Sequence, residues 1–341
     1  KKGNIGAPSV TYSAWVGQQE NLKKQEMMSP YEFVRYQLDQ NSAVYAPIYL
    51  RDGKTLEDYK NVQGIDWQDQ VLRKAFMQNH SLALRGGTDK TKYSISGSLL
   101  DQDGIIINSG FKRYQTRLTL DQQVNDKIKA GVNVNYTGTK TYGAVSSITP
   151  TGPTSSLMYS IWGYRPVTGN PEADANIIDE PFDPDVDPMN EYRINPILST
   201  RNEHNPLFRN IVIGNAYIDY KPAKYFTLRI TGGINKENLR RENFNNSNTR
   251  SGNPKSSNLG VNGAVSNTEN TTWLNENTLT YARVFNKVHS LNVLGGFTMQ
   301  KGRTYSYGYT ATQVPNESLG MSGLDEGVIT TGPTLRSSNA L

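Results

Sequence analysis

Three histidines, His80, His204 and His289, are scattered through 341 residues, and there is no cysteine. Thiol nucleophiles, disulfides and thiolate zinc sites are therefore excluded. No His-Glu-x-x-His, Gly-x-Ser-x-Gly or phosphate-loop motif occurs. With no base spaced to activate a nucleophile, the chain reads as a non-enzyme. The chemistry that remains is binding. Asp183, Asp185 and Asp187 stand at every second position in Asp183-Pro184-Asp185-Val186-Asp187, the spacing that opens a calcium loop. The Gly and distal Glu of an EF-hand do not follow, so an acidic, proline-stiffened loop is the competing reading. No other cofactor is implied. Tyr159, Trp162, Tyr164 and Arg165 gather in one stretch. Aromatic faces stack on sugar rings, and arginine hydrogen-bonds their hydroxyls; the alternative is that these residues pack a loop against a wall. Arg113, Arg117 and Arg229 form a third set, whose role depends on the strands that carry them.

Those strands are read from alternation. Residues 76–142 give four strands in succession. In 92–99, Tyr93, Ile95, Gly97 and Leu99 share one face, and Lys92, Ser94, Ser96 and Ser98 the other. In 127–136, Ile128, Ala130, Val132, Val134 and Tyr136 oppose Lys127, Lys129, Gly131, Asn133 and Asn135. Strict period two marks a strand with one apolar and one wet face. Further strands fall at 8–18, 210–220, 225–235, a stretch ending near 282, and 289–299, about nine in all. Arg113, Arg117 and Arg229 lie on the wet faces. Ser29-Pro30-Tyr31-Glu32 carries a capping box with proline in the first turn, so a short helix starts there. A second short helix is expected at 154–161.

Hydrophobic residues make up 35% of the chain, and the longest apolar runs are as short as Ile105-Ile106-Ile107. A helical membrane span is excluded. A transmembrane barrel is not, because its alternating strands hide from hydropathy. Tyrosine outnumbers phenylalanine 20 to 9, which suits strands at a membrane–water interface as well as strands in general. The net charge of +5 is spread out, with no patch for nucleic acid.

The connections decide between barrel and sandwich. Long segments at about 19–75, 143–205, 237–270 and 302–341 all follow odd-numbered strands. Tight turns follow the even-numbered ones. All long loops therefore project from one side, the architecture of an outer-membrane barrel. A soluble β-sandwich has no reason to sort its loops in this way. The expected fold class is all-β, a transmembrane antiparallel β-barrel. An odd strand count does not close a single-chain bacterial barrel, so the chain reads as part of a larger one.

Several motifs then carry a resemblance. Lys1-Lys2-Gly3 is similar to the end of the plug domain in SusC/RagA-type TonB-dependent transporters. Asp66-Trp67-Gln68-Asp69, His80 with Arg85-Gly86-Gly87, Tyr93-Ser94-Ile95-Ser96-Gly97 and Ser109-Gly110-Phe111-Lys112-Arg113 follow in that family's order. Glu276-Asn277-Thr278-Leu279-Thr280-Tyr281 and His289-Ser290-Leu291-Asn292-Val293 resemble its later hairpin. The resemblance covers most strands and is weak in the long loops. It implies a barrel of about 22 strands filled by a plug, of which residues 1–341 supply the first part. The plug domain, the TonB box and the C-terminal barrel half lie outside this sequence. It further implies a bacterial outer-membrane location of the Bacteroidetes type, surrounded by outer-membrane lipid. The implied partners are TonB and a SusD-like lipoprotein; the implied function is import of an oligosaccharide, with an oligopeptide as the alternative. A passive porin and a soluble carbohydrate-binding β protein are the rivals outside the family. The inward arginines are expected to pair with plug carboxylates or to line the path.

Overall fold

The computed structural model describes residues 5–143, 157–170, 177, 195–254 and 257–340. Ten strands form one antiparallel sheet in sequence order. They are β1 (Gly6–Gln19), β2 (Ala75–Gly87), β3 (Thr91–Asp103), β4 (Gly110–Gln123), β5 (Ile128–Tyr142), β6 (Leu207–Tyr220), β7 (Phe226–Asn245), β8 (Asn262–Phe285), β9 (His289–Thr312) and β10 (Val328–Ala340). Every strand pairs with its neighbours in the chain, the pattern of a partial up-and-down barrel wall.

Alternation sets the two faces. Leu82, Ile95, Leu118, Ile218, Ile230, Leu279 and Phe297 share one face and are all exposed. On the opposite face, Ser94, Thr119 and Asp121 are buried. An exposed apolar face backed by a polar one is a wall with lipid outside and a polar lumen inside. The register locks this arrangement, since a one-residue slip would exchange the faces of a whole strand.

The turns at 88–90, 124–127, 221–225 and 286–288 are tight and lie on one side. On the other side lie the connections 20–74, 104–109, 143–206, 246–261 and 313–327. Two of the expected long loops are shorter than the composition indicates. Most of 237–270 is strand, because β7 runs to Asn245 and β8 starts at Asn262. Asn- and Thr-rich strands look like loop in sequence, but here Glu237↔Asn270 through Asn245↔Asn262 continue the ladder. Likewise, β9 runs to Thr312 and 302–341 contains a tenth strand. Arg303, Tyr305 and Tyr307 are paired across to β8 there, so pairing overrides polar composition.

The loop side carries a helical layer. The capping box at Ser29 is present: Ser29 Oγ accepts from Glu32 N, and Glu32 Oε2 accepts from Ser29 N at 2.9 Å. The helix it starts, α1 (Pro30–Tyr49), is longer than expected and contains a kink at Asn41. It buries Val34 and Tyr49 against Tyr59 and Val167. Two short helices carry no periodic signal, α2 (Trp67–Val71) and α4 (Pro196–Asn202). The expected helix at 154–161 is α3 (Leu157–Gly163); residues 154–156 lie outside the described set.

Candidate functional site

The two candidate surfaces are the polar lumen wall and the underside of the loop layer above it. The lumen wall is built from the inward positions of β4 to β7. Arg229 grips Asp219 across the β6–β7 pair with two bonds, Nε to Oδ1 at 2.6 Å and Nη2 to Oδ2 at 2.8 Å. Its guanidinium lies 4.7 Å from the centroid of the Tyr217 ring. The Tyr217 hydroxyl in turn donates to Asp121 on β4. Gly131 makes this reach possible: a Cβ there would stand 2.4 Å from the Tyr217 ring and 2.8 Å from Asp121 Oδ1. The three groups tie β4, β6 and β7 together across a glycine on β5. A bidentate pair with a stacked ring is the strong form of an arginine contact.

The three inward arginines therefore divide. All occupy the lumen registers, but Arg229 is neutralised within the wall. Arg117 donates through Nε to Asn133 Oδ1 at 3.3 Å. Arg113 has no carboxylate partner among the described residues, and its Nε is buried without a hydrogen bond. Arg85, on the same face of β2, is in the same condition. Sequence alternation places these side chains inward; it cannot say which of them finds a wall carboxylate.

In the loop layer, Trp67 is the central side chain. It is buried in a cluster with Val71, Leu157, Ile161, Tyr164 and Ile197. Its ring meets Tyr164 edge-on at 4.6 Å, and its Nε1 donates to Arg165 O at 3.0 Å. Asp66 caps α2 by accepting from Gln68 N at 2.9 Å. The tip 104–109 docks on the same helix, with Ile107 N donating to Val71 O at 3.0 Å. Tyr164 and Arg165 are thus buried in the layer, with Arg165 Nη1 3.5 Å from Tyr49 Oη and 3.4 Å from Thr168 O. Trp162 is 43% exposed. The Tyr159 side chain and Asp183, Asp185 and Asp187 lie outside the described residues. Asn195, fully buried, was not singled out by sequence; its Nδ2 donates to Ile177 O and its Oδ1 accepts from Ile197 N, each at 2.9 Å. The Asn195-Pro196 pair, an N-cap with proline at N1, is the signal that could have found it.

Electrostatics in the layer are local. Lys24 pairs with Asp66 and Asp69. The Lys24 hydrogen bond holds the Asp69 carboxyl below its usual range. Burial pushes the Glu203 carboxyl up, partly offset by the Ser199 hydroxyl and Arg250. Among the described residues no three His, Asp or Glu side chains come together as a metal site. His80 is bonded to the Tyr12 hydroxyl at 2.7 Å on the outward face, and His204 pairs with Glu242 at 3.2 Å. The arrangement suits passage and binding of a polar solute.

A wall of alternating strands with loops sorted to one side defines the class, part of an outer-membrane β-barrel. No family model matches the chain. Relatives are more specific. The chain is 27% identical over 328 residues to TonB-dependent receptor P26 of Formosa agariphila, covering 93% of the chain and 30% of that protein. It is 26% identical over 254 residues to the TonB-dependent receptor SusC of Bacteroides thetaiotaomicron, covering 70% of the chain and 23% of SusC. Its fold matches the RagAB peptide transporter with a TM-score of 0.72 at 17% identity, over 99% of the chain and 40% of the matched one. The chain thus spans less than a third of these curated relatives. It is similar to a barrel segment of SusC-like TonB-dependent transporters, and its place is the bacterial outer membrane.

Proposed function

We propose that the protein containing this segment imports an oligosaccharide across the outer membrane, driven through TonB and capped by a SusD-like lipoprotein. The observation that carries the reading is the pairing of a polar lumen wall with a folded layer on the loop side. A wall that neutralises Arg229 internally leaves a smooth polar path for a hydroxyl-rich solute. The loop layer leaves Trp162 exposed beside the buried stretch Tyr164–Arg165, as a flat surface for a sugar ring. Arg85 and Arg113, without carboxylate partners in the wall, are set to meet acidic groups of a domain seated in the lumen. No step in this reading makes or breaks a covalent bond of the cargo.

An oligopeptide is the second cargo reading, favoured by the fold match to a transporter that carries peptides by its name. Uptake separates the two. Cells expressing the full-length protein together with a SusD-like lipoprotein are offered fluorescent oligosaccharides or oligopeptides of matched size. Saturable, TonB-dependent entry of a saccharide is the expected result; entry of peptides alone overturns the cargo, and entry without TonB overturns the mechanism. Trp162→Ala should weaken saccharide uptake while leaving the barrel folded.

A further inference from the structure

The four tryptophans stand in four different environments. Trp67 is buried in the loop layer, Trp162 is exposed on it, and Trp273 is exposed on the outward face. Trp15 lies on the lumen face of β1. Register places it there: Trp15 is opposite Asn79, and Asn79 shares a face with Arg85, which is opposite the buried Ser94. The Trp15 side is 46% exposed, and its indole Nε1 has no hydrogen-bond partner among the described residues. A tryptophan presents a broad apolar face and one donor, and here both are open to the lumen.

The inward positions around it are short and polar. Ser13 precedes it on β1, Asn79 and Ser81 stand opposite on β2, and Ser96 and Ser98 follow on β3. None of these side chains makes a hydrogen bond among the described residues. Above Trp15, Gly17 carries no side chain and Met77 lies over it; a Cβ there would stand 3.0 Å from Met77 Cε. Over the inward positions of 9–15, 79–85 and 94–100, Arg85 is the only charge. On β6 and β7, by contrast, the wall carries paired ions, Arg209 with Glu237 and Arg229 with Asp219. An open ring among uncharged donors and acceptors matches a neutral, hydroxyl-rich solute, and a charged ligand finds no counter-ion beside the ring. At about 3.3 Å per residue and a tilt of roughly 40°, Trp15 lies about 10 Å below the loop-side end of β1. It therefore stands in the upper lumen, beneath the layer that carries Trp162.

We propose that Trp15 and Asn79 form a saccharide subsite in the lumen wall, the indole stacking on the apolar face of one sugar and the Asn79 amide bonding its hydroxyls. An oligosaccharide then meets one ring at the mouth, Trp162, and a second inside the wall. This inference rests on the saccharide reading of the cargo. Stacking on the ring contributes about tenfold in affinity, and the amide about fivefold.

The full-length protein is labelled with fluorotryptophan, and the Trp15 fluorine resonance is assigned by its loss in Trp15→Phe. Maltohexaose, cellohexaose, xylohexaose and mannohexaose are titrated in turn, with a neutral hexapeptide as control, and calorimetry gives each affinity. In the free protein a soluble gadolinium chelate should broaden the Trp15 resonance. A hexasaccharide that binds should shift that resonance and protect it from the chelate. Trp15→Ala should weaken its binding about tenfold and Asn79→Ala about fivefold, whereas Trp15→Phe, which keeps a ring, should cost less than about threefold. Heat-modifiable gel migration should be unchanged in all three. If Trp15→Ala fails to fold, the resonance of the labelled wild-type protein decides. A hexasaccharide that binds without moving Trp15, a Trp15 resonance already shielded in the free protein by a domain seated in the lumen, or a shift produced by the peptide alone would overturn the subsite. If no hexasaccharide binds anywhere on the protein, the saccharide reading of the cargo falls, and the subsite with it.

Discussion

From Gly110↔Tyr142 to Gln123↔Lys129, β4 and β5 match residue for residue. In the loop layer, by contrast, α2 is fixed by Trp67 reaching a carbonyl 98 residues away. The wall draws its stability from many equivalent backbone bonds between chain neighbours, so no single side chain dominates it. The loop layer has little regular pairing and depends on a few fully buried groups, Val34, Ile161, Asn195 and Ile197 among them. Distributed pairing tolerates substitution; concentrated packing does not. A transporter gains from this division, since the wall must stay sealed while the loops meet cargo and partners.

The contrast is broken most directly at Trp67. Trp67→Ala should cost the loop layer about 3–5 kcal/mol, seen as rapid hydrogen exchange in 30–72 and 157–170, with the strands still protected. Loss of strand protection as well would show that wall and layer fold as one unit. Asn195→Ala should cost about 1–3 kcal/mol by leaving the Ile177 carbonyl and the start of α4 unsatisfied, read by proteolysis between β5 and β6. Gly131→Ala tests the wall. It should displace the Tyr217 ring from Asp121 and cost about 1–3 kcal/mol, whereas Gly232→Ala, with nothing within 4 Å of the added methyl, should leave the melting temperature nearly unchanged. Equal effects of the two alanines would remove the special role assigned to the Asp121–Tyr217–Arg229 tie. Ser29→Ala should cost about 1 kcal/mol at the start of α1 only.

The smallest effect is a pH dependence confined to the layer. Burial raises the Glu203 carboxyl from its ordinary value near 4.5, so the folded state holds the proton more tightly than the unfolded one. Its contribution is full below the ordinary value and is lost as pH rises through the raised folded value. Exchange of 196–206 should therefore quicken as pH rises above the ordinary carboxylate value, and Glu203→Gln should abolish that change.

What was legible in the sequence follows the same division. Alternation gave β2 to β5 and their faces, and the sorting of connections gave the barrel class. The Ser29 capping box marked the start of α1, because its signal lies within four residues. The extents of β7, β8 and β9 were not legible: their upper ends are rich in Asn, Thr and Arg, and only the neighbouring strand makes such residues strand. Nor was the burial of Tyr164 and Arg165, whose residue types suit a sugar site equally well. Trp67 contacts them from a segment far away in the chain.

By itself, then, the sequence determined the period-two faces, the sorting of loops and the absence of thiol chemistry. These are local properties, set by side-chain type and spacing of two. Tertiary structure alone decided which inward arginine is neutralised within the wall. It also decided which loop aromatics are buried. Each of these depends on which distant residue lies within a few ångströms, and that is fixed by strand register and by the packing of loops that share no local signal.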